Sequence, residues 1–357
     1  MAKRNYRKSS KKIQPSVMKL NFRFVTSATG EKASSYIDLS QCASLVNRRF
    51  YRQGLNWAVS GIKLLSPIAP ATMPPTPITG EVTINKLPNT WVMSNSWEKG
   101  FRAWQKMNND ALAESPSVKP KFLDFKIYAN EDHHGLGYGG NLLPHSSATL
   151  SSSISVANPG EWESSKISVP LTTPAGVFDP GTTVEREFIA VGSSYPGVSA
   201  ATGLDAVSLI EGYAASRGLP NQLDPNTPAD ADDAGGSTPE NWLSAMFNDG
   251  TNQDSDVIET MISENNLAPY PFENDGVNTD TMYPGGANQL SSLEIHSQEF
   301  VTNTTVGGTT RFAGGNFPCG LMEIGTFGFP SSTTLILEVS LIPGTHRGYL
   351  AESMTEM

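Results

Sequence analysis

The side chains best suited to chemistry cluster in EDHHGLGYGG, where Asp132, His133 and His134 precede a run of glycines, and His145 follows further on. Imidazoles and carboxylates at short spacing are the raw material of metal sites and general acid–base pairs. Adjacent histidines on an extended chain, however, point to opposite faces and do not readily grip one ion. The pair therefore reads as part of a loop without metal. The glycines match no GxGxxG pattern and lack the strand–turn–helix setting that cradles a dinucleotide. GxSxG, HExxH, CxxC and the Walker A lysine are all absent. NDGTNQDSD, residues 248–256, is acidic enough for calcium but fails the EF-hand spacing. It reads as a solvated loop, with calcium held between subunits as the open alternative. Neither a cofactor nor an enzymatic activity is expected.

Polyanion binding finds more support. Six of the first twelve residues, MAKRNYRKSSKK, are basic: Lys3, Arg4, Arg7, Lys8, Lys11 and Lys12. The first acid is Glu31. Such an arm gains affinity by displacing counterions from phosphates and needs no fixed structure to do so. Its composition predicts disorder until nucleic acid is bound. The same tip suits a nuclear localisation signal. A second basic group, RRFYR at 48–52, sets Arg48, Arg49 and Arg52 among Phe50 and Tyr51. Rings beside cations suit stacking on unpaired bases as well as charge contacts. The other reading is a helix end with Phe50 and Tyr51 packed inward.

Charge is divided along the chain. Residues 1–130 hold 20 Lys and Arg against 7 Asp and Glu, while residues 131–357 hold 5 against 28. Between Arg217 and Arg311 there are fifteen acids and no base. The whole carries a formal charge of -10. Such asymmetry suggests one surface that faces a polyanion and another that faces solvent. The plainer reading is an acidic, solubilising surface with a basic leader. The two cysteines, Cys42 and Cys319, are far apart and read as free buried thiols rather than a long-range disulfide. The basic N-terminus has no apolar run behind it, so it does not read as a secretory signal, and no segment reaches membrane-spanning length; a protein that is soluble and intracellular at the time of synthesis is expected.

These residues need a scaffold, and its signals are mostly those of strands. With charged residues at only 17% and abundant Gly, Pro, Ser and Thr, an all-β chain is favoured. VMKLNFRFVTS alternates, with Met18, Leu20, Phe22 and Phe24 on one face. LNWAVSGIKLLS, GEVTINK, PKFLDFKIYAN, WESSKISVPL, TVEREFIAVGS, SLEIHSQEFVT, GLMEIGTFGF and TTLILEVSLIP also read as strands. Helices are expected at SQCASLVNRRFYRQ, capped by Ser40, at DAVSLIEGYAASRG, and at SNSWEKGFRAWQKMNNDALA, where Trp97, Phe101, Trp104 and Leu112 form a stripe. About eight to ten strands with helices confined to the links point to a β-sandwich or jelly roll. The expected division is a basic arm over 1–15, a shell domain over 16–218 and 290–357, and an acidic surface insertion over 219–289.

NRRFYRQGLNWAVSGI, SWEKGFRAWQKMNNDAL with VKPKFLDFKIY, MYPGG and HRGYLAESM resemble the capsid proteins of circular Rep-encoding single-stranded DNA viruses, especially the bacilladnavirus and related marine group. The resemblance is spread from about residue 36 to the end and contains no catalytic signature. It implies a single eight-stranded jelly roll with short helices and a projecting insertion in its loops. It also implies self-assembly into an icosahedral shell around a single-stranded DNA genome, hence a virion protein made in the host nucleus or cytoplasm, with a host receptor. The arm is short and not strongly arginine-rich for this group, so Arg48, Arg49 and Arg52 and the Lys99–Lys126 region are expected to add interior charge. Arm and jelly roll would equally serve the coat of a positive-strand RNA virus. A monomeric β-sandwich that binds nucleic acid or carbohydrate is the alternative of another class.

Overall fold

Alternate residues of a strand face opposite sides, so KLNFRFV can bury one face and wet the other. A computed structural model describes residues 15–26, 32–66, 78–113, 115–145, 156–172, 178–198, 200–216, 292–304, 308–330 and 333–357. In it β1 (Lys19–Val25) buries Leu20, Phe22 and Phe24. The chain continues through β2 (Ala33–Asp38), α1 (Leu39–Asn47), β3 (Leu55–Leu65) and β4 (Thr79–Lys86). There follow α2 (Trp91–Ala113), α3 (Glu131–Leu136), β5 (Lys166–Thr172), β6 (Phe178–Ile189), β7 (Asp205–Ser208) and α4 (Leu209–Ser216). After residues 217–291 come β8 (Glu294–Thr302), β9 (Thr309–Phe317), β10 (Leu321–Phe327) and β11 (Thr334–Leu341). Three short strands end the chain: β12 (Pro343–Gly344), β13 (Gly348–Tyr349) and β14 (Ala351–Ser353).

Two antiparallel sheets carry most of these strands. One runs β1-β11-β3, with β9 on the free side of β3 and β14 extending its paired side; the other runs β2-β10-β4-β8. The pairing is nested. β1 pairs β11, β2 pairs β10, β3 pairs β9 and β4 pairs β8, so the outermost strands in sequence meet first with last. Phe22, Val59, Leu335 and Leu337 of the first sheet meet Val82, Ile84, Met322 and Ile324 of the second in one core. Each such side chain removed from water contributes about 1.5–3 kcal/mol. The result is a β-sandwich.

The connection from β4 to β8 carries a second layer. There α2 lays Trp97, Phe101 and Trp104 over Phe125, with ring centroids 5.9, 5.9 and 5.4 Å from it, and Phe125 meets Phe188 of β6 at 5.0 Å. β5, β6 and β7 form a separate small sheet, in which β6 and β7 run parallel.

Several sequence expectations are corrected here. α1 is capped by Asp38, not Ser40; the Asp38 carboxylate accepts from the amides of Ser40 (2.8 Å) and Gln41 (3.2 Å). PKFLDFKIYAN is not a ladder strand but an extended segment with a single bridge, Tyr128 to Ile189. Side chains meet its backbone instead: Ser165 Oγ accepts from the Lys126 amide, and Gln53 from the Ile127 amide. DAVS is strand β7, and only Leu209–Ser216 is helical. β2 and the glycine-containing β9 had no alternating pattern strong enough to announce them. The expected 219–289 insertion lies outside the described residues, as does residues 1–14 of the basic arm.

The two layers are joined through polar atoms with no exposed surface. Gln53 Oε1 accepts from Ile127 N at 2.6 Å, while its Nε2 lies 3.0 Å from Asp38 Oδ2, 3.1 Å from Ile127 O and 2.9 Å from Tyr138 Oη. Trp162 Nε1 donates to the same Asp38 oxygen at 3.1 Å. Burial pushes the Asp38 carboxyl above its ordinary pKa, offset by these donors. Replacing Gln53 with Ala strands a buried amide and deprives a buried acid of a donor, each worth about 1–3 kcal/mol. Gln53→Ala is therefore expected to lower unfolding free energy in urea by roughly 2–4 kcal/mol with little change in slope. A loss under about 0.5 kcal/mol, the size of an ordinary surface change, would show that the joint does not depend on this amide.

Candidate nucleic-acid interface

The basic residues of 48–52 do not project as one stripe. Arg48 ends α1 in the left-handed region at φ 51°, unusual for a residue with a Cβ. Beyond it, Arg49 donates to the carbonyl of Pro15 at 3.1 Å. Tyr51 is fully buried, its hydroxyl donating to Arg347 O at 3.0 Å and its ring 5.9 Å from Trp57. Phe50 is only half-buried. Its ring lies 5.3 Å from Phe122 and 6.4 Å from Trp162, and the Arg52 guanidinium sits 5.4 Å above it. Of the two rings expected to pack inward on the helix-end reading, Tyr51 does so and Phe50 is half-buried.

Cations from elsewhere join this corner. Lys121 lies 5.4 Å from the Phe122 ring and Lys126 4.2 Å from Trp162. Burial lowers the Lys126 pKa, with Asp124, Asp38 and Glu163 pulling it back up. Arg52 donates to Leu123 O and stands 3.7 Å from the buried Asp124 carboxylate. Other bases of the Lys99–Lys126 region are engaged differently: Lys99 over Tyr213 at 4.9 Å, and Arg102 with Glu98 one turn back. Lys3, Arg4, Arg7, Lys8, Lys11 and Lys12 lie outside the described residues. The root that carries them does not. Pro15 is held by Arg49, Ser16 donates to Arg347 O at 2.9 Å, and Val17 N donates to Asn47 at 3.0 Å. Arg347 in turn donates to Phe50 O, so the arm root and the surface rings share one framework.

Phe122, Trp162 and Arg347 were missed in the sequence. KPKFLDFK does interleave cations with rings and could have drawn attention to Phe122. Trp162 stands between Glu161 and Glu163, which hid it.

The histidine pair is not the extended loop expected. It lies on α3, and both rings are buried. His133 accepts from Ala129 N at Nδ1 (3.0 Å) and meets Asn141 Oδ1 through Nε2 (2.8 Å); burial lowers its pKa to about 3, so it is neutral. His134 Nε2 is 2.7 Å from Glu187, and its Nδ1 is 2.5 Å from the Tyr195 hydroxyl. Burial tends to raise the Glu187 pKa, but hydrogen bonds from His134, Ser164 and Thr202 hold it below the usual range. Tyr195 borders a cleft of about 460 Å³ with Lys32, Glu131 and Asp132. Burial and the neighbouring acids raise its phenol pKa, the reverse of what activates a nucleophile. Among the described residues, no group of three or more His, Cys, Asp or Glu is placed to hold a metal, and no helix is long and apolar enough to cross a membrane. Residues 248–256 lie outside the described residues. Cys42 and Cys319 are buried and unpaired with each other.

Within the basic corner, Asp124 has its pKa pushed up to about 6 by burial, against the Gln53 amide, Lys126 and Arg52. The folded protein therefore keeps this proton at a pH where the unfolded chain, near its ordinary value of about 4, has lost it. The contribution is fully present below about pH 4 and is lost as pH rises through about 6, and it amounts to roughly 2–3 kcal/mol. Unfolding free energies measured from pH 4 to 7 should vary less in Asp124→Asn than in the parent; identical profiles would contradict the shift. In comparison with known proteins, no family model, curated protein or solved structure matches this chain.

Proposed function

We propose that this chain is a structural coat subunit that self-assembles into a closed icosahedral shell and packages single-stranded DNA by nonspecific charge contacts. The observation that carries the reading is the nested pairing of eight strands, each consecutive pair meeting across β4 and β8 outward to β1 and β11. One long hairpin rolled on itself produces that order, so we read the sandwich as a single jelly roll, the architecture of many viral shells as well as of lectin domains and cupins. Fold alone does not choose among these. The basic arm supports the shell reading, because its root joins the cationic, aromatic corner built from Phe50, Phe122 and Trp162.

Self-association has its own support. Among the described residues β8 is the last strand of its sheet, and Ile295 and Phe300 on it are 61% and 80% exposed. Phe300 and Phe327 flank Glu81 in one cross-strand row. An exposed edge strand with large apolar side chains invites pairing with another chain. A shell would put the arm corner toward the genome and the acidic remainder toward solvent, which accounts for the charge asymmetry without a sequence-specific site.

Electron microscopy of the purified protein over a range of salt is expected to show uniform shells enclosing nuclease-protected nucleic acid. Once released, that nucleic acid should be digested by DNase; digestion by RNase alone would assign the shell to an RNA genome. A monomer at high concentration in every condition would contradict the coat reading and leave a single binding module. Deleting residues 1–12 should leave the circular dichroism and unfolding midpoint unchanged and lower the nucleic-acid content of the particles. Loss of the folded subunit would count against the arm as a separable binding element.

A further inference from the structure

We infer that Phe50, Phe122 and Trp162 form a stacking platform for unpaired bases, with Arg52, Lys121 and Lys126 placed to take the phosphates. This rests on the nucleic-acid part of the proposed function and goes beyond it, because charge alone would not distinguish a base-bearing strand from a bare sugar–phosphate chain.

The rings come from three distant parts of the chain and meet at one surface. Phe122 is 57% exposed, an exposure that places a large apolar face in water without an evident packing reason. Phe50 lies 5.3 Å from it at 57°, and Trp162 lies 6.4 Å from Phe50 at 52°. The inclined rings present several faces rather than one flat stack. Each carries a cation: Arg52 at 5.4 Å from Phe50, Lys121 at 5.4 Å from Phe122 and Lys126 at 4.2 Å from Trp162. A nucleotide offers the complement of such a pair, a π face beside a phosphate. The base takes the ring face and the flexible cation swings to the phosphate, so both contacts are kept.

The platform is held in place from below. Trp162 is fixed by its indole N–H on Asp38, and the Phe50 carbonyl by Arg347. Arg49, next to Phe50, also holds Pro15, so a strand collected by the arm is delivered to the rings. The flanking acids limit the choice of ligand only in part. Asp124 is 4% exposed and faces Gln53 N and Arg52, whereas Glu161 and Glu163 on either side of Trp162 favour a ligand whose gain comes from stacking as well as from charge.

The test compares binding of the full chain to an oligothymidylate and to an abasic oligomer of the same length, by fluorescence anisotropy at two salt concentrations. The parent should prefer the base-bearing strand by about tenfold or more. Phe122→Ala should remove most of that preference while leaving affinity for the abasic strand unchanged, and Phe122→Tyr should restore it. Lys121→Gln should weaken both ligands alike and flatten the salt dependence. Equal binding of the two strands by the parent, or an undiminished preference in Phe122→Ala, would overturn the platform and leave the charge-driven reading standing. Failure to bind either strand at low salt would overturn both. Competition by polyglutamate as strong as that by oligothymidylate would identify the corner as an acidic-peptide site instead.

Discussion

The side-chain amide of Gln53 has no exposed surface, and through it the sandwich and its inserted layer are held in register. On one side stands Asp38, which ends β2 and caps α1; on the other stand Ile127 and Tyr138 of the connection between β4 and β8. A buried carboxylate is tolerated only where donors surround it. Asp38 has them from the first turn of α1, from Gln53 and from Trp162. That need for donors aligns a helix, the end of β2, the bend before β3 and a remote tryptophan at one point. The layers are packed apolar surface, but their relative position is a hydrogen-bonding constraint.

The cationic, aromatic corner inherits its geometry from this joint. Trp162 reaches the surface while its indole N–H stays on Asp38. The residue before Gln53 is Arg52, over the Phe50 ring, and the Gln53 amide donates to Asp124. Arg347, from the far end of the chain, closes the arrangement by donating to Phe50 O while its own carbonyl accepts from Ser16 and Tyr51. The Trp162 ring and Arg52 thus adjoin the buried network that fixes the layers, and exposed bonds through Arg49 and Arg347 tie the arm root to the same corner.

How much of this was legible in the sequence depended on whether a local pattern existed. β1 and β4 announced themselves by alternation, because a strand with one wet face must show it, and β3, β10 and β11 were read as strands from their apolar runs. The tryptophan stripe of α2 was equally plain. The segment 120–130 misled because FLDFKIY alternates as a strand does, yet its backbone bonds go largely to side chains that no local pattern reveals. His133 and His134 misled for the opposite reason: a short helix whose histidines meet Asn141, Glu187 and Tyr195 makes both rings internal. Of the site, the cations at 48–52 were visible, but their pairing with Phe122 and Trp162 is a long-range contact across some seventy and a hundred and ten residues, beyond any spacing rule.

The central claim is that the corner bearing Pro15, Phe50 and Phe122 faces the enclosed polymer while the acidic part of the chain faces solvent. A cryo-electron microscopy reconstruction of assembled particles measures this directly as a radius. The account places Pro15 and Phe122 on the inner wall, in contact with density for nucleic acid. Those residues on the outer surface, with the acidic segment turned inward, would contradict it.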